Sequence, residues 1–207
     1  MPKKPLILEE IVLIEDNNLR MAVQHLLNRY PDYLKQPASI SGKYHKGENR
    51  LTHIRMTLVI LNMICKEFNI IGLRRDRLFT AMILHDIGYV DFVRPGNIKG
   101  WKYYPQTGWS RNYVDDDHPL RGFQIVMSES LISEEHKVDI ANMILKHMSI
   151  WNKFCPEPET EDEKWIAISD YIASRQEIKF VGLEVEDWIG DKNEQGRNNY
   201  EEKDTRS

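Results

Sequence analysis

Six residues of this 207-residue chain have the types and spacing to do chemistry together: His53, His85, Asp86, His118, His147 and Asp170. The adjacent pair His85-Asp86 closes an apolar run (Leu78, Phe79, Ala81, Met82, Ile83, Leu84) and is followed by Gly88. A helix with such a face is buried, and a buried His beside an ionised Asp is costly without a partner. A metal ion supplies one. The intervals between the six are 32, 1, 32, 29 and 23 residues, roughly one helix plus one loop each. Four imidazoles and two carboxylates are too many for one closed tetrahedral zinc. They suit two metals with one carboxylate between them. Imidazole with carboxylate favours manganese, iron, zinc or nickel over calcium, without choosing among them. Such a pair lowers the pKa of a shared water and holds phosphate oxygens for in-line attack.

The elements that must position these groups read as helices almost throughout. Residues 17–29 place Leu19, Val23, Leu26 and Leu27 on one face and stop before Pro31. Residues 50–68 carry Leu51, Ile54, Leu58, Leu61 and Ile64 at helical spacing, and 76–87 form the helix of the pair. Pro119 fits the first turn of a helix running to about 131. Ser133 can cap another to about Met148, and Thr160-Glu161-Asp162-Glu163 is a capping-box pattern for a helix to about Arg175. Each helix then brings one or two of the six to a shared centre, as helical bundles build metal sites. Asp170 shares a face with Ile166 and Ala173, and His147 follows Ile140 and Ile144.

The motifs LTHIRMT, MILHDIGY, DDDHPLRG, LKHM and ISDYIASR, in that order, resemble those of the HD-domain superfamily of metal-dependent phosphohydrolases across about residues 40–175. The resemblance implies an all-α HD-domain helical bundle around a metal site. It implies that His53, His85, Asp86 and Asp170 bind one metal, and that Asp86 bridges to a second held by His118 and His147. Related bimetal phosphodiesterases and CRISPR-associated nucleases carry the two extra histidines. Some show a double His where this chain has His147-Met148. PASISGKYH resembles a segment ahead of the first ligand in bacterial and phage HD proteins of unassigned substrate.

Two segments are candidates for holding substrate. The loop 36–49 contains Ser39, Ser41, Gly42, Lys43, Tyr44 and His45. Hydroxyls, a glycine and a lysine can cradle a phosphate. His45 is a candidate general acid or substrate contact, and an exposed surface loop is the plain alternative. The stretch 88–117 interleaves Arg94, Lys99, Lys102 and Arg111 with Tyr89, Phe92, Trp101, Tyr103, Tyr104, Trp109 and Tyr113. Aromatics with cations can stack a base and neutralise its phosphates. We read it as a lid, against the alternative that its aromatics only pin a long loop.

The composition fits a globular protein, with 41% hydrophobic and 29% charged residues. The net charge of -4 is uneven: residues 1–155 carry 21 basic against 17 acidic side chains, and 156–207 carry 7 against 15. No broad basic face for duplex nucleic acid is expected. Only Cys65 and Cys155 are present, and no long apolar run or signal peptide is visible, so a reducing, cytoplasmic setting without membrane contact is expected. We expect a single helical domain over 1–190 and a polar, disordered tail over 191–207.

The leading functional expectation is a metal-dependent phosphohydrolase acting on a small-molecule nucleotide or a single-stranded nucleic-acid phosphodiester through a metal-bound hydroxide. Asp86, His45 and Lys43 are the expected catalytic residues. Ser41, Lys43, Tyr44, Arg94, Lys99, Lys102 and Arg111 are the expected substrate contacts. The alternative is an HD-type di-iron oxygenase acting on a small polar substrate.

Overall fold

The computed structural model describes residues 9–36, 38, 49–91, 93–94, 97–98, 102–104, 108–110, 118–150 and 155–175. Within these, six α-helices dominate: α1 (Asn17–Arg29), α2 (Arg50–Glu67), α3 (Gly72–Leu84), α4 (His118–Met127), α5 (Glu134–Lys146) and α6 (Glu161–Ala173). The bundle packs α2 against α3 and α6, α5 against α3, α4 and α6, and α1 against α3. Its core runs from Ile14, Leu19 and Leu26 through Leu58, Leu78, Phe79 and Ile83 to Ile140, Ile144 and Ile166. Each such side chain contributes about 1.5–3 kcal/mol by leaving water.

The helix starts follow local chemistry. The Asp16 side chain accepts from the Leu19 N–H at α1, and Asn49 does the same for Thr52 at α2. Thr160 and Glu163 form the expected reciprocal capping box at α6. Ser133 stands at the N-cap of α5 but makes no side-chain cap bond there.

Helix α3 departs from expectation. It begins at Gly72, four residues earlier than the apolar pattern indicates, and ends at Leu84. The polar LRRDR stretch is helical because its charges work outside the helix. Asp76 accepts the Asp16 N–H at 2.6 Å, and Arg74 pairs with Asp162 and Glu161. Helix α4 is shorter than expected and stops at Met127. The stretch read as irregular after the His-Asp pair contains a 3-10 turn, Ile87–Asp91, and four short strands. These are β1 (Val93–Arg94) paired antiparallel with β2 (Asn97–Ile98), and β3 (Lys102–Tyr104) paired antiparallel with β4 (Gly108–Ser110).

Glycine matters at one contact that places the site. A Cβ on Gly88 would sit 1.9 Å from the His118 carbonyl oxygen. The turn after the His-Asp pair therefore lies directly on the first turn of α4. A Cβ on Gly122, one turn further along α4, would sit 2.7 Å from the Ile144 Cγ2 of α5. No described helix is long and apolar enough to cross a membrane.

Candidate metal centre

Helix ends converge at one point of the bundle. His53 projects from the second turn of α2, and His85 and Asp86 follow the last residue of α3. His118 opens α4, His147 follows α5, and Asp170 lies near the end of α6. All six are buried. The six polar groups on apolar stripes thus come together in space.

Their atoms form two clusters sharing one carboxylate. In the first, His53 Nε2 lies 3.2 Å from His85 Nε2 and 3.0 Å from Asp170 Oδ1. His85 Nε2 lies 3.7 Å from Asp170 Oδ1 and 3.6 Å from Asp86 Oδ2. In the second, His118 Nε2 lies 3.1 Å from His147 Nε2. Asp86 Oδ1 lies 3.3 Å from His118 Nε2 and 3.6 Å from His147 Nε2. Asp86 therefore turns one oxygen to each pair of imidazoles.

The donor chemistry fits a cation in each cluster. The His85 Nδ1–H donates to the Met82 carbonyl at 2.7 Å, and the His147 Nδ1–H donates to the Ile144 carbonyl at 2.6 Å. Each of these rings, when neutral, turns its Nε2 lone pair toward a second imidazole nitrogen. Two nitrogens each about 2.1 Å from a tetrahedral ion lie about 3.4 Å apart. The observed separations are close to that. Both His53-His85-Asp170 and His85-Asp86-His147 have ligand atoms close enough to hold an ion.

Electrostatics separate the two clusters. Burial pulls His85 down to about 4, against the opposing pull of Asp86 and Asp170. Burial alone would raise the Asp86 carboxyl. The charges of His85 and Arg50, with hydrogen bonds from His118 and His147, outweigh it and hold Asp86 well below the usual range. Asp170 is likewise low, because its bond to His53 and the charge of His85 outweigh its burial. His147 moves the other way from His85. Burial opposes its charge, but its hydrogen bond to Asp86 and the pull of Asp170 raise it.

Arg50 is the residue that sequence reasoning missed. It is 1% exposed, and its Nε donates to Asp86 Oδ2 at 3.2 Å. Its guanidinium lies over the Tyr89 ring at 4.6 Å and the Tyr33 ring at 5.4 Å, and it donates to Gln36 Oε1. Tyr33 in turn donates its hydroxyl to the Ile83 carbonyl. The available signal was position: Arg50 stands three residues before His53, on the same helix face. Tyr89, read from sequence as a lid aromatic, stacks on His118 at 4.0 Å between centroids and belongs to the wall of the centre. Lys146, beside His147, points away from the cluster and bonds Glu163 at 2.9 Å.

The remaining substrate candidates have no described side chains. Ser39, Ser41, Gly42, Lys43, Tyr44, His45, Lys99 and Arg111 lie outside the described residues, as does everything beyond Arg175. Arg94 and Lys102 are placed only as backbone, in β1 and β3.

Among curated proteins and solved structures, no match is found. A family model described as HD domain matches residues 50–175. That span opens on Arg50 and closes on Arg175, just past Asp170, and so takes in the whole cluster. The chain belongs to the HD domain family.

Proposed function

We propose that the chain binds two divalent transition-metal ions through His53, His85, Asp86, His118, His147 and Asp170, and that it hydrolyses a phosphate ester of a nucleotide or single-stranded nucleic acid. Family membership carries the coarse part of this reading, a metal-dependent hydrolase of phosphohydrolase type. The finer part rests on one observation: two opposed imidazole pairs, each faced by a different oxygen of Asp86.

A divalent pair held there supplies an activated water and neutralises charge on phosphoryl oxygens. The chain's own residues do the rest. Arg50 fixes the Asp86 carboxylate and keeps it ionised, so both oxygens stay available as acceptors. Tyr89 covers His118 with an aromatic face and limits water access from that side. The segments proposed to hold substrate adjoin the centre along the chain. Residues 39–48 lead into α2, and residues 92–117 join the turn after Asp86 to His118. Ser41, Lys43, Tyr44, Arg94, Lys99, Lys102 and Arg111 are proposed to bind the phosphate and base there. His45 is proposed to protonate the leaving oxygen.

The test is a screen of nucleotides and short phosphodiesters with the full chain under anaerobic conditions, with manganese, iron, zinc or nickel supplied in turn. The expected result is ester cleavage without oxygen, abolished by chelation and by Asp86→Ala. Turnover that requires iron and consumes oxygen would replace this reading with the oxygenase one.

A further inference from the structure

Tyr89 stands three residues after Asp86, in the 3-10 turn Ile87–Asp91 that leads away from the His-Asp pair. Its backbone is held at two points. The Tyr89 N–H donates to the Asp86 carbonyl at 3.0 Å, and the preceding Gly88 is pressed against the His118 carbonyl. The residue is only 8% exposed, so its ring meets neighbouring side chains rather than solvent.

Two of those neighbours belong to the centre. The His118 imidazole stacks on the Tyr89 ring, with centroids 4.0 Å apart and planes inclined by 17°. The Arg50 guanidinium lies 4.6 Å from the centroid of the same ring, where the aromatic quadrupole attracts it. His118 Nε2 faces Asp86 Oδ1 at 3.3 Å, and Arg50 Nε donates to Asp86 Oδ2 at 3.2 Å. These contacts close a ring: Tyr89 to His118, His118 to Asp86, Asp86 to Arg50, and Arg50 back to Tyr89. One aromatic side chain thus supports a partner of each oxygen of the shared carboxylate.

The imidazoles of the centre are steered in two ways. His85 and His147 are held at the ring edge, each by an Nδ1–H donated to the carbonyl three residues earlier. His118 is held at the ring face. The outer torsion of a histidine is broad and roughly two-fold, so an imidazole that nothing steers samples many orientations. A ring stacked at 4.0 Å narrows that range, because turning the imidazole out of plane drives its edge into the Tyr89 face. His118 Nε2 then stays beside Asp86 Oδ1 and His147 Nε2. This steering belongs to the aromatic face and does not need the phenol hydroxyl.

We infer that Tyr89 is a positioning residue for the second ion: its ring fixes the His118 imidazole as a ligand and ties it to the Arg50–Asp86 pair. The inference rests on the two-ion reading above and deepens it, by naming the side chain that orients the second set of ligands.

The test titrates cobalt(II) into the metal-free full chain and follows its visible ligand-field bands, for the parent, Tyr89→Phe and Tyr89→Leu. The expected result is two binding steps in the parent and in Tyr89→Phe. In Tyr89→Leu the first step is kept and the second weakens about 10–100-fold, the usual effect of removing a group that orients a ligand. A merely structural role would lower the melting temperature of the metal-free protein and weaken both steps together. If Tyr89→Leu fails to fold, Tyr89→Met takes its place, because an unbranched thioether fills irregular space without an aromatic face. An unchanged second step in the non-aromatic variant would overturn the inference. So would equal weakening of both steps, or a loss in Tyr89→Phe as large as that in the non-aromatic variant. A single step in the parent would defeat the two-ion reading and this inference with it, whereas the other outcomes leave that reading standing.

Discussion

The two halves of the candidate metal centre are built from similar donors but held differently. The half made by His53, His85 and Asp170 draws on α2, α3 and α6, and a carboxylate of its own contacts His53 at 3.0 Å. Arg50 braces it from one side through Asp86 Oδ2. The half made by His118 and His147 has no carboxylate but the shared Asp86 among the described residues. It sits on α4 and α5, and α4 meets the turn after Asp86 through the close contact at Gly88. Donor count and support both favour the first half. The second half is joined to the first through Asp86, the contact at Gly88 and the packing of α5 on α3 and α6.

The largest effect should come from Asp86, whose two oxygens face the two halves. Asp86→Ala is expected to remove both ions and all turnover, and to leave Arg50 buried without its carboxylate. Loss of a buried charge partner costs on the order of 3–5 kcal/mol. Elemental analysis and a thermal melt check both parts. Full metal content in that variant would break the idea that the halves share a ligand.

Gly88→Ala should separate the halves. The added methyl meets the backbone of His118, so α4 must move. Overpacking of this kind costs roughly 1–3 kcal/mol. The expected outcome is loss of one ion per chain with the first half intact, read by metal content alongside stability. Arg50→Lys tests the brace on the other side. A lysine keeps the charge but cannot reproduce the fork that spans Asp86 and Gln36. Metal affinity should fall for both halves, and an unchanged affinity would assign Arg50 to packing alone.

The smallest effect should come from the tie between the halves. Lys146 of α5 bonds Glu163 of α6 in a buried pair. Burial alone would raise Glu163, but the Thr160 and Glu159 N–H groups and Lys146 outweigh it and lower its carboxyl. A lowered folded-state pKa contributes stability above the unfolded value, near about 4.3 for Glu, and that stability is lost as pH falls through the folded value. Glu163→Gln should therefore cost roughly 1–3 kcal/mol at pH 7. The gap to the parent chain should close as pH drops below 4. A gap that persists there would mean the capping box, not the charge, carries the effect.

The helices and the six polar residues were legible because both depend on periodicity. A His or Asp on an apolar stripe, as at Asp170 after Ile166, is an anomaly that one sequence can reveal. Arg50 was legible only by its place three residues before His53, and its burial was not. It is buried only because Gln36, Tyr33 and Tyr89 close over it, and none of these is near it in helical register. Asp76 hid the start of α3 for the same reason. Its carboxylate looks like a solvated charge until Asp16 is placed beside it. Tyr89 was grouped with the aromatics of the following loop by proximity along the chain. Its stacking on His118 depends on the Gly88 contact, which a sequence does not display.

The central claim is that one aspartate joins two ion sites of unequal support. The most direct test is metal content per chain in the parent protein, His118→Ala and His147→Ala, each loaded with the same divalent metal and desalted. The account predicts about two ions in the parent and about one in either variant, with the remaining ion still retained by His53, His85, Asp86 and Asp170. An equal ion count in all three proteins would contradict it.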